Sequence, residues 1–557
     1  MKLNGAQLVI ETLQRHGVGI VAGIPGGANL PLYDALGQST LRHVLARHEQ
    51  GGGFIAQGMA RASGRPAVCF GTSGPGATNL LTAIADAKLD SIPLVAITAQ
   101  VPRKLIGTDA FQEIDTYGLT LSITKHNFQV RSIAELVEVI PDGFRIATSG
   151  RPGPVAIDIP KDVLTDSIET AALPEVARRD TPPRIECDHL RRAAQMINSA
   201  QRPIFLIGAG LIAAEASGDL LQLMEKASIP AAATLLGLGA IPNDHPLFAG
   251  MVGMHAARYT NLILEECDLL IGVGIRFDDR ATGKAAEFCP RAQILHVDID
   301  PSELGKIKNP ALGIIGDAGE FIRAITPLVA THPRREWNRH LEMLRARYPL
   351  MTPGTSDPLR PFGIIRYAAE ALPRDAIIAT DVGQHQMWVA QAYPFSHPRQ
   401  FLTSGGLGTM GFGLPAAIGA ALAKPDRTVV CFSGDGSLLM NLQELATAAE
   451  ENVKVKIILL NNERLGLVRQ QQQLFYGERF CASEFRAKTD FVAIARGFNV
   501  DAVDLGRVEN PIDALAESLA APGPCLIHVP IAAEESVFPM VPPGGANRNM
   551  IAGEAQR

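Results

Sequence analysis

The sequence predicts an α/β protein of three doubly wound domains with mainly parallel sheets. At 557 residues the chain is too long for one core, and at about 150–200 residues per domain it divides into three. Short β-branched runs alternate with longer helical patterns, as in Pro66 to Phe70, the helix Ala77 to Ala87, and Pro93 to Thr98, which is the grammar of βαβ units. Composition turns polar and proline-bearing over Thr165 to Ile185 and again over Thr331 to Pro361, so two linkers are expected. The expected domains are therefore 1–165, 190–325 and 360–535, followed by an irregular arm over 536–557 that carries Pro542-Pro543-Gly544-Gly545.

Hydrophobic residues make up 46% and charged residues 19%, which excludes disordered and collagen-like chains. With 51 basic and 57 acidic side chains the net charge is −6 and no Lys/Arg run stands out, so no nucleic-acid partner is expected and small molecules are. The cysteines at 69, 187, 267, 289, 431, 481 and 525 are odd in number and show no C-x-x-C spacing, which fits a reducing compartment. Residues 1–7 lead into an amphipathic pattern (Leu8, Val9, Leu13) broken by Glu11 and Arg15, unlike a signal peptide. Apolar runs such as Ile92 to Thr98 fall well short of the ~18 residues of a membrane span, so a cytoplasmic protein is expected.

In the first domain a strand over Arg42 to Ala46 leads through Arg47-His48-Glu49 into a helix. An isolated Glu there would ordinarily serve the helix dipole. The middle domain shows strand-like runs at Pro203 to Ile207, Pro230 to Thr234, Leu269 to Val273 and Gln293 to Val297; the third shows Ala376 to Thr380, Thr428 to Phe432 and Val455 to Leu460. The first and third each carry a Gly/Pro turn before an Ala-rich helix, Ser73-Gly74-Pro75-Gly76-Ala77 and Gly411-Phe412-Gly413-Leu414-Pro415-Ala416, a faint sign of duplication.

The most informative segment is Ser433-Gly434-Asp435-Gly436-Ser437. It ends a buried strand and precedes a helix expected to run to about Glu450, so Asp435 should stand at a carboxyl strand tip with the amides of Gly436 and Ser437 free for an anion. The next strand ends in Asn461-Asn462, one helix and one strand later, so Asp435 and Asn462 can emerge on adjacent tips. A carboxylate with an amide oxygen suits Mg²⁺ that completes its octahedron with phosphate and water. Read alone, both motifs are ordinary turns; their spacing and context favour a metal–diphosphate clamp.

G-D-G-S with an N-N pair 27 residues on resembles the cofactor signature of thiamine-diphosphate enzymes, in which Asp435, Asn462 and the carbonyl of Arg464 would ligate the metal. Arg47-His48-Glu49-Gln50-Gly51 resembles the same family's activating glutamate, whose carboxyl holds the aminopyrimidine of the cofactor. In that family the two halves of the site come from different chains, which implies a homodimer or tetramer. Longer segments, Ile106 to Glu113, Ser149 to Pro154, Asp381 to Trp388 and Gly405 to Gly413 among them, resemble the catalytic subunits of acetolactate synthases across nearly the whole chain. That resemblance implies cofactor contacts at Pro25, Gly26, Asn79, Gln384, His385, Gly408, Met410, Gly434, Gly436, Ser437, Gly466 and Leu467, with Phe111 and Gln112 entering from the neighbouring chain. Met410 is equally readable as core.

In the middle domain Arg276-Phe277-Asp278-Asp279-Arg280 follows a strand, while Gly208-Ala209-Gly210 lacks the last glycine of a dinucleotide motif and by itself is a weak signal. The resemblance implies FAD, in a structural role, at Arg151, Gly208, Gly210, Thr234, Met254, His255, Gly274, Arg276, Asp278, Arg280, Asp298 and Ile299. Arg280 would also reach the substrate carboxylate, which its fork suits. The implied reaction takes pyruvate, releases CO₂, and joins the remaining two carbons to a second pyruvate (2-acetolactate) or to 2-ketobutyrate (2-aceto-2-hydroxybutyrate), opening branched-chain amino-acid biosynthesis. A small regulatory subunit is the usual partner in that family. A flavin- and thiamine-dependent pyruvate oxidase is the alternative. Three positions depart from the family pattern: Leu467 stands where Met is usual, Gln471 where a tryptophan lines the acceptor pocket, and Ala99 where Gly is common.

Overall fold

The computed structural model describes residues 2–170 and 172–553. It contains three six-stranded sheets whose strands all pair in parallel, and a two-stranded antiparallel ribbon joining Lys2–Asn4 to Ser167–Glu169. In the first sheet the strands in chain order are Ile20–Gly23, Arg42–Leu45, Ala67–Gly71, Leu94–Gln100, His126–Gln129 and Val155–Pro160. Their spatial order is 2-1-3-4-6-5. The third sheet, of Ile377–Thr380, Phe401–Leu402, Val429–Gly434, Val455–Asn461, Asp501–Asp504 and Cys525–Pro530, has the same order. The hint of duplication thus reappears as shared topology.

The middle sheet differs. Its strands Pro203–Ile207, Ala231–Ala233, Phe248–Met251, Leu269–Val273, Gln293–Asp298 and Leu312–Ile315 lie in the order 3-2-1-4-5-6, that of dinucleotide-binding folds. The order first reverses between the first and third strands of the outer two sheets and between the first and fourth strands of the middle one. There the helices leaving neighbouring strands pass to opposite faces and open a crevice at the carboxyl tips.

Helix Glu49–Ser63 of the first domain packs on helix Gly413–Ala423 of the third. The latter is apolar on every side, as a helix enclosed by protein must be. Glycines set the approach: a Cβ on Gly58 would lie 2.0 Å from the Ala416 carbonyl oxygen, and one on Gly419 would lie 1.9 Å from that of Ile55. One continuous core therefore joins Ile55, Ala56, Ala60 and Leu80 to Leu414, Ala417 and Ile418.

Two expectations are corrected. The helix expected to run to Glu450 is broken into Asp435–Leu438 and Glu444–Glu450, because Asn441 between them donates its side-chain amide to the Gly411 carbonyl (2.7 Å) and to Gln50 Oε1 (3.2 Å), bonds a continuous helix could not offer. The stretch Thr331 to Pro361 is not a plain linker. It holds helix Arg335–Arg347, whose charged outer face hides the burial of Trp337, Leu341 and Leu344 against the middle domain, where Trp337 Nε1 donates to the Pro203 carbonyl. The arm beyond 535 is irregular as far as it is described. It lies against the middle domain through Met254, His255 and Ala281, and its last residues, 554–557, lie outside the described residues. Among the described residues no helix is long and apolar enough to cross a membrane.

Because the Gly58 contact is backbone to backbone, relief requires the two helices to part. Gly58→Val should destabilise the protein by about 1–3 kcal/mol, the usual cost of overpacking, seen as a lower unfolding midpoint; an unchanged midpoint would show that this interface can yield.

Candidate cofactor site

Strands Val429–Gly434 and Val455–Asn461 are neighbours with Gly434 opposite Leu460. The residues that follow, Asp435 and Asn462, consequently emerge on adjacent strand tips beside the reversal between the first and third strands, and both line a narrow pocket of about 60 Å³ with Gln384, His385, Trp388, Met410, Gly434, Gly436, Ser437, Arg464, Gly466 and Leu467. Asp435 accepts from the backbone N–H groups of Gly436 (2.9 Å) and Arg464 (3.0 Å). The Gly436 amide is thus turned to its own neighbour, and the helix behind it, Asp435–Leu438, is short. Burial lifts the Asp435 carboxyl to about 6 despite these bonds. Asn462 donates to Gln384 Oε1 (3.2 Å), and a Cβ on Gly466 would sit 1.9 Å from that same oxygen, so a side chain there would displace Gln384.

His385 is fully enclosed and burial depresses its pKa to about 3, so its ring is neutral. Its Nε2 has no hydrogen-bond partner, a costly condition for a buried nitrogen unless a ligand answers it. No group of three or more His, Cys, Asp or Glu side chains among the described residues could hold a metal on its own. A carboxylate, an amide oxygen and an unanswered imidazole are a donor set that fits a metal-bound diphosphate supplying the remaining oxygens.

The first sheet presents a second polar cluster at its own reversal point. Glu49 opens helix Glu49–Ser63, is largely buried, and accepts from Asn79 Nδ2 (2.9 Å). Beside it Thr72 packs against Gly26, where a Cβ would come within 2.6 Å, and the Thr72 hydroxyl is buried without a partner. Pro25, Gly26, Glu49 and Asn79 line neither the clamp pocket nor the larger cavity described next. Nor do Phe111 and Gln112; Phe111 is 88% exposed on a loop organised by Glu113, whose carboxylate accepts from the amides of Thr108 and Ala110. Neither of these two cavities is lined by residues of both polar clusters.

A cavity of about 720 Å³ opens at the reversal point of the middle sheet. Arg151 and every middle-domain residue singled out in the sequence line it: Gly208, Gly210, Thr234, Met254, His255, Gly274, Arg276, Asp278, Arg280, Asp298 and Ile299. Backbones crowd there, since a Cβ on Gly210 would lie 2.6 Å from Gly274 Cα. The same cavity is also lined by Gly408, Leu467 and Gln471 from the third domain, so the crevice reaches the rim of the clamp.

Family descriptions match in three places: "Thiamine pyrophosphate enzyme, N-terminal TPP binding domain" over residues 3–119, the central domain over 190–325, and the C-terminal TPP binding domain over 381–529. The chain is 57% identical to the acetolactate synthase isozyme 1 large subunit of Escherichia coli (strain K12) over 551 residues, covering 99% of this chain and 98% of the relative. The chain belongs to the acetolactate synthase large-subunit family. Further members are the isozyme 2 large subunit of the same organism, 45% identical with 99% of both chains covered, and acetolactate synthase 1, chloroplastic, of Oryza sativa subsp. japonica, 44% identical over 98% of this chain and 87% of the relative. The pyruvate oxidase alternative is not favoured by these relatives. As an acetolactate synthase the chain is a thiamine-diphosphate enzyme.

Sequence reading passed over two acids of this site. Asp381, fully buried just after strand Ile377–Thr380, accepts from the amides of Val382 (2.9 Å), Gly411 (2.8 Å) and Gly413 (3.2 Å) and ties the strand tip to the Gly411–Gly413 turn. An acid directly after a buried strand was its available signal. Glu444 reaches across from the third domain to accept from the amides of Arg47 (3.0 Å) and His48 (3.1 Å), setting the turn that carries Glu49. Nothing in its own surroundings in the sequence announces it.

Trp388 lines the clamp, so its emission should report cofactor entry. Asp435→Asn, which removes the carboxylate from a buried donor set, should weaken quenching by thiamine diphosphate in excess Mg²⁺ by about 100-fold; an unchanged titration would remove Asp435 from the clamp.

Proposed function

We propose that this chain is the catalytic subunit of an acetolactate synthase that uses thiamine diphosphate with Mg²⁺ to decarboxylate pyruvate and to join the two remaining carbons to a second pyruvate or to 2-ketobutyrate, at the entry to branched-chain amino-acid biosynthesis. The observation that carries this reading is that Asp435, Asn462 and Arg464 line one pocket with the unpartnered His385 nitrogen, at the carboxyl strand tips of the third sheet.

Asp435, the Asn462 amide oxygen and the Arg464 carbonyl are the proposed metal ligands, with Gln384 and His385 directed at the diphosphate. When bound, thiamine diphosphate supplies an acidic ring carbon and an electron sink for the carboxylate's electrons. Glu49 holds the proton that the aminopyrimidine nitrogen must share, and Asn79 fixes its rotamer through the 2.9 Å bond to Oε2. Because Glu49 lines neither cavity, we assign it to the site of a partner subunit together with Pro25, Gly26, Phe111 and Gln112; the exposed Phe111 ring would then close over the partner's pocket. Water must be kept out so that the transferred unit meets a ketone rather than a proton.

The 720 Å³ crevice is the proposed seat of FAD, supported by the strand order, the crowded Gly208, Gly210 and Gly274 backbones and the polar rim of Arg151, Arg276, Asp278 and Asp298. Arg280, its side chain 68% exposed at the cavity, is held among the described residues only by a long ion pair to Asp279 (3.8 Å) and a bond to Met254 Sδ (3.7 Å), and is the proposed partner of a substrate carboxylate. The relatives' "large subunit" names support a small regulatory partner. Seven free cysteines support a reducing, cytoplasmic setting.

Gln471 lines the cavity near Leu467, where the resemblance led us to expect an indole. A pocket discriminates one methylene by only about 1–3 kcal/mol, and a flexible amide should do so less well. With pyruvate and 2-ketobutyrate at equal concentration, 2-acetolactate should form a larger share of product than in tryptophan-bearing relatives; a strong excess of 2-aceto-2-hydroxybutyrate would refute this. Glu49→Gln should keep the fold, by an unchanged unfolding midpoint, while losing about 100-fold or more in kcat, the range of general acid–base contributions; near-normal turnover would remove Glu49 from the mechanism.

A further inference from the structure

The turn 403–410, which carries Gly408 and Met410, is held by the first domain through three buried charged side chains. Arg61 donates to Asp86 (3.1 Å) and to Asp90 (2.8 Å), and the side chains are 7%, 0% and 0% exposed. Two carboxylates face one guanidinium, so the trio carries an unbalanced negative charge in a dry place. The turn supplies the missing donors. Gly405 N–H (3.0 Å) and Gly406 N–H (2.7 Å) donate to Asp90; the Ser404 hydroxyl and the Thr409 hydroxyl (3.1 Å) donate to Asp86. Arg61 in return donates to the Thr403 carbonyl (3.0 Å) and lies over the Phe412 ring at 4.8 Å. Thr409 N–H donates to Ser404 Oγ (2.8 Å), closing the turn on itself.

We propose that Arg61, Asp86 and Asp90 are positioning residues for the cofactor: they fix the 403–410 turn in the shape that presents Gly408 and Met410. If the turn withdrew, it would leave a buried carboxylate short of partners, a cost larger than the loss of ordinary surface contacts. The turn is therefore shaped before the cofactor arrives, and affinity does not have to be spent on ordering it. Burial, with the neighbouring Asp90 charge, lifts the Asp86 carboxyl to about 6, while Arg61 and the Ser404 and Thr409 hydroxyls pull the other way.

The proposal rests on the reading that Met410 meets the cofactor, so Met410→Ala serves as the control. Thr409→Val removes one hydroxyl from Asp86 at nearly constant volume, Asp86→Asn removes the charge, and Thr409→Ser keeps the hydroxyl. The measurement is thiamine diphosphate affinity in excess Mg²⁺, read by Trp388 quenching, beside the unfolding midpoint of the cofactor-free protein. Thr409→Val and Asp86→Asn should each weaken affinity by about tenfold or more, the size of one charge-assisted hydrogen bond, and Thr409→Ser should restore it. Lower midpoints with unchanged affinity would show that the trio only fastens two domains together and would overturn the proposal. If Met410→Ala alone weakens binding, the site reading stands and the positioning role fails; if Met410→Ala has no effect, the site reading fails and the proposal falls with it.

Discussion

Gly434 lies opposite Leu460 in two parallel neighbouring strands, and that register delivers a carboxylate and an amide to one sheet edge with nothing between them. A slip by one residue would turn one of them to the other face of the sheet. Everything else in the third domain bears on holding this edge open and dry. Gly466 yields its side-chain volume to Gln384, Asp381 gathers the Gly411–Gly413 turn, and the neutral His385 ring fills the floor with one nitrogen unanswered. The buried Asp435 carboxylate is held by the amides of Gly436 and Arg464, and the bare His385 ring nitrogen lacks a partner. In the proposed function, a ligand that answers that nitrogen removes the cost of leaving it unpaired.

In the proposed arrangement one chain carries half of each site, and the architecture accommodates it. The first and third sheets share a strand order and therefore the same place for a crevice, yet Glu49 stands at one crevice and Asp435 at the other. Their helices Glu49–Ser63 and Gly413–Ala423 are pressed together by glycine contacts, and Glu444 and the Arg61 trio cross the same seam. That seam does not bring Glu49 to the clamp pocket. It fixes how each half is presented, which is what two copies need if each is to complete the other.

The clamp was legible because its signal is local. Asp435 and Asn462 each end a strand, and 27 residues is the length of one helix and one strand. The three-sheet plan was legible for the same reason, since each βαβ unit writes its period into adjacent residues. Short strands such as Phe401–Leu402 and Phe248–Met251 were not seen, because too few residues alternate to outweigh their surroundings. Helix Arg335–Arg347 was hidden by its charged outer face. Glu444, Asp86 and Asp90 escaped for a different reason: each is buried against residues more than 300 positions away in the chain, so its partners are created only by folding. The middle-domain crevice lay between these cases, its glycines visible but their crowding evident only once strands Pro203–Ile207 and Leu269–Val273 lay side by side.

The central claim is that the clamp of one chain works with the Glu49 of another, and complementation between two inactive variants tests it most directly. Glu49→Gln and Asp435→Asn chains carrying different affinity tags are co-expressed, and dimers retaining both tags are isolated and assayed for acetolactate. In a site shared between chains, one of the two sites in each mixed dimer has both changes and the other has neither, so about half of the native activity should return. If the mixed dimer is as inactive as either parent, Glu49 and Asp435 serve the same site from the same chain and the account is wrong.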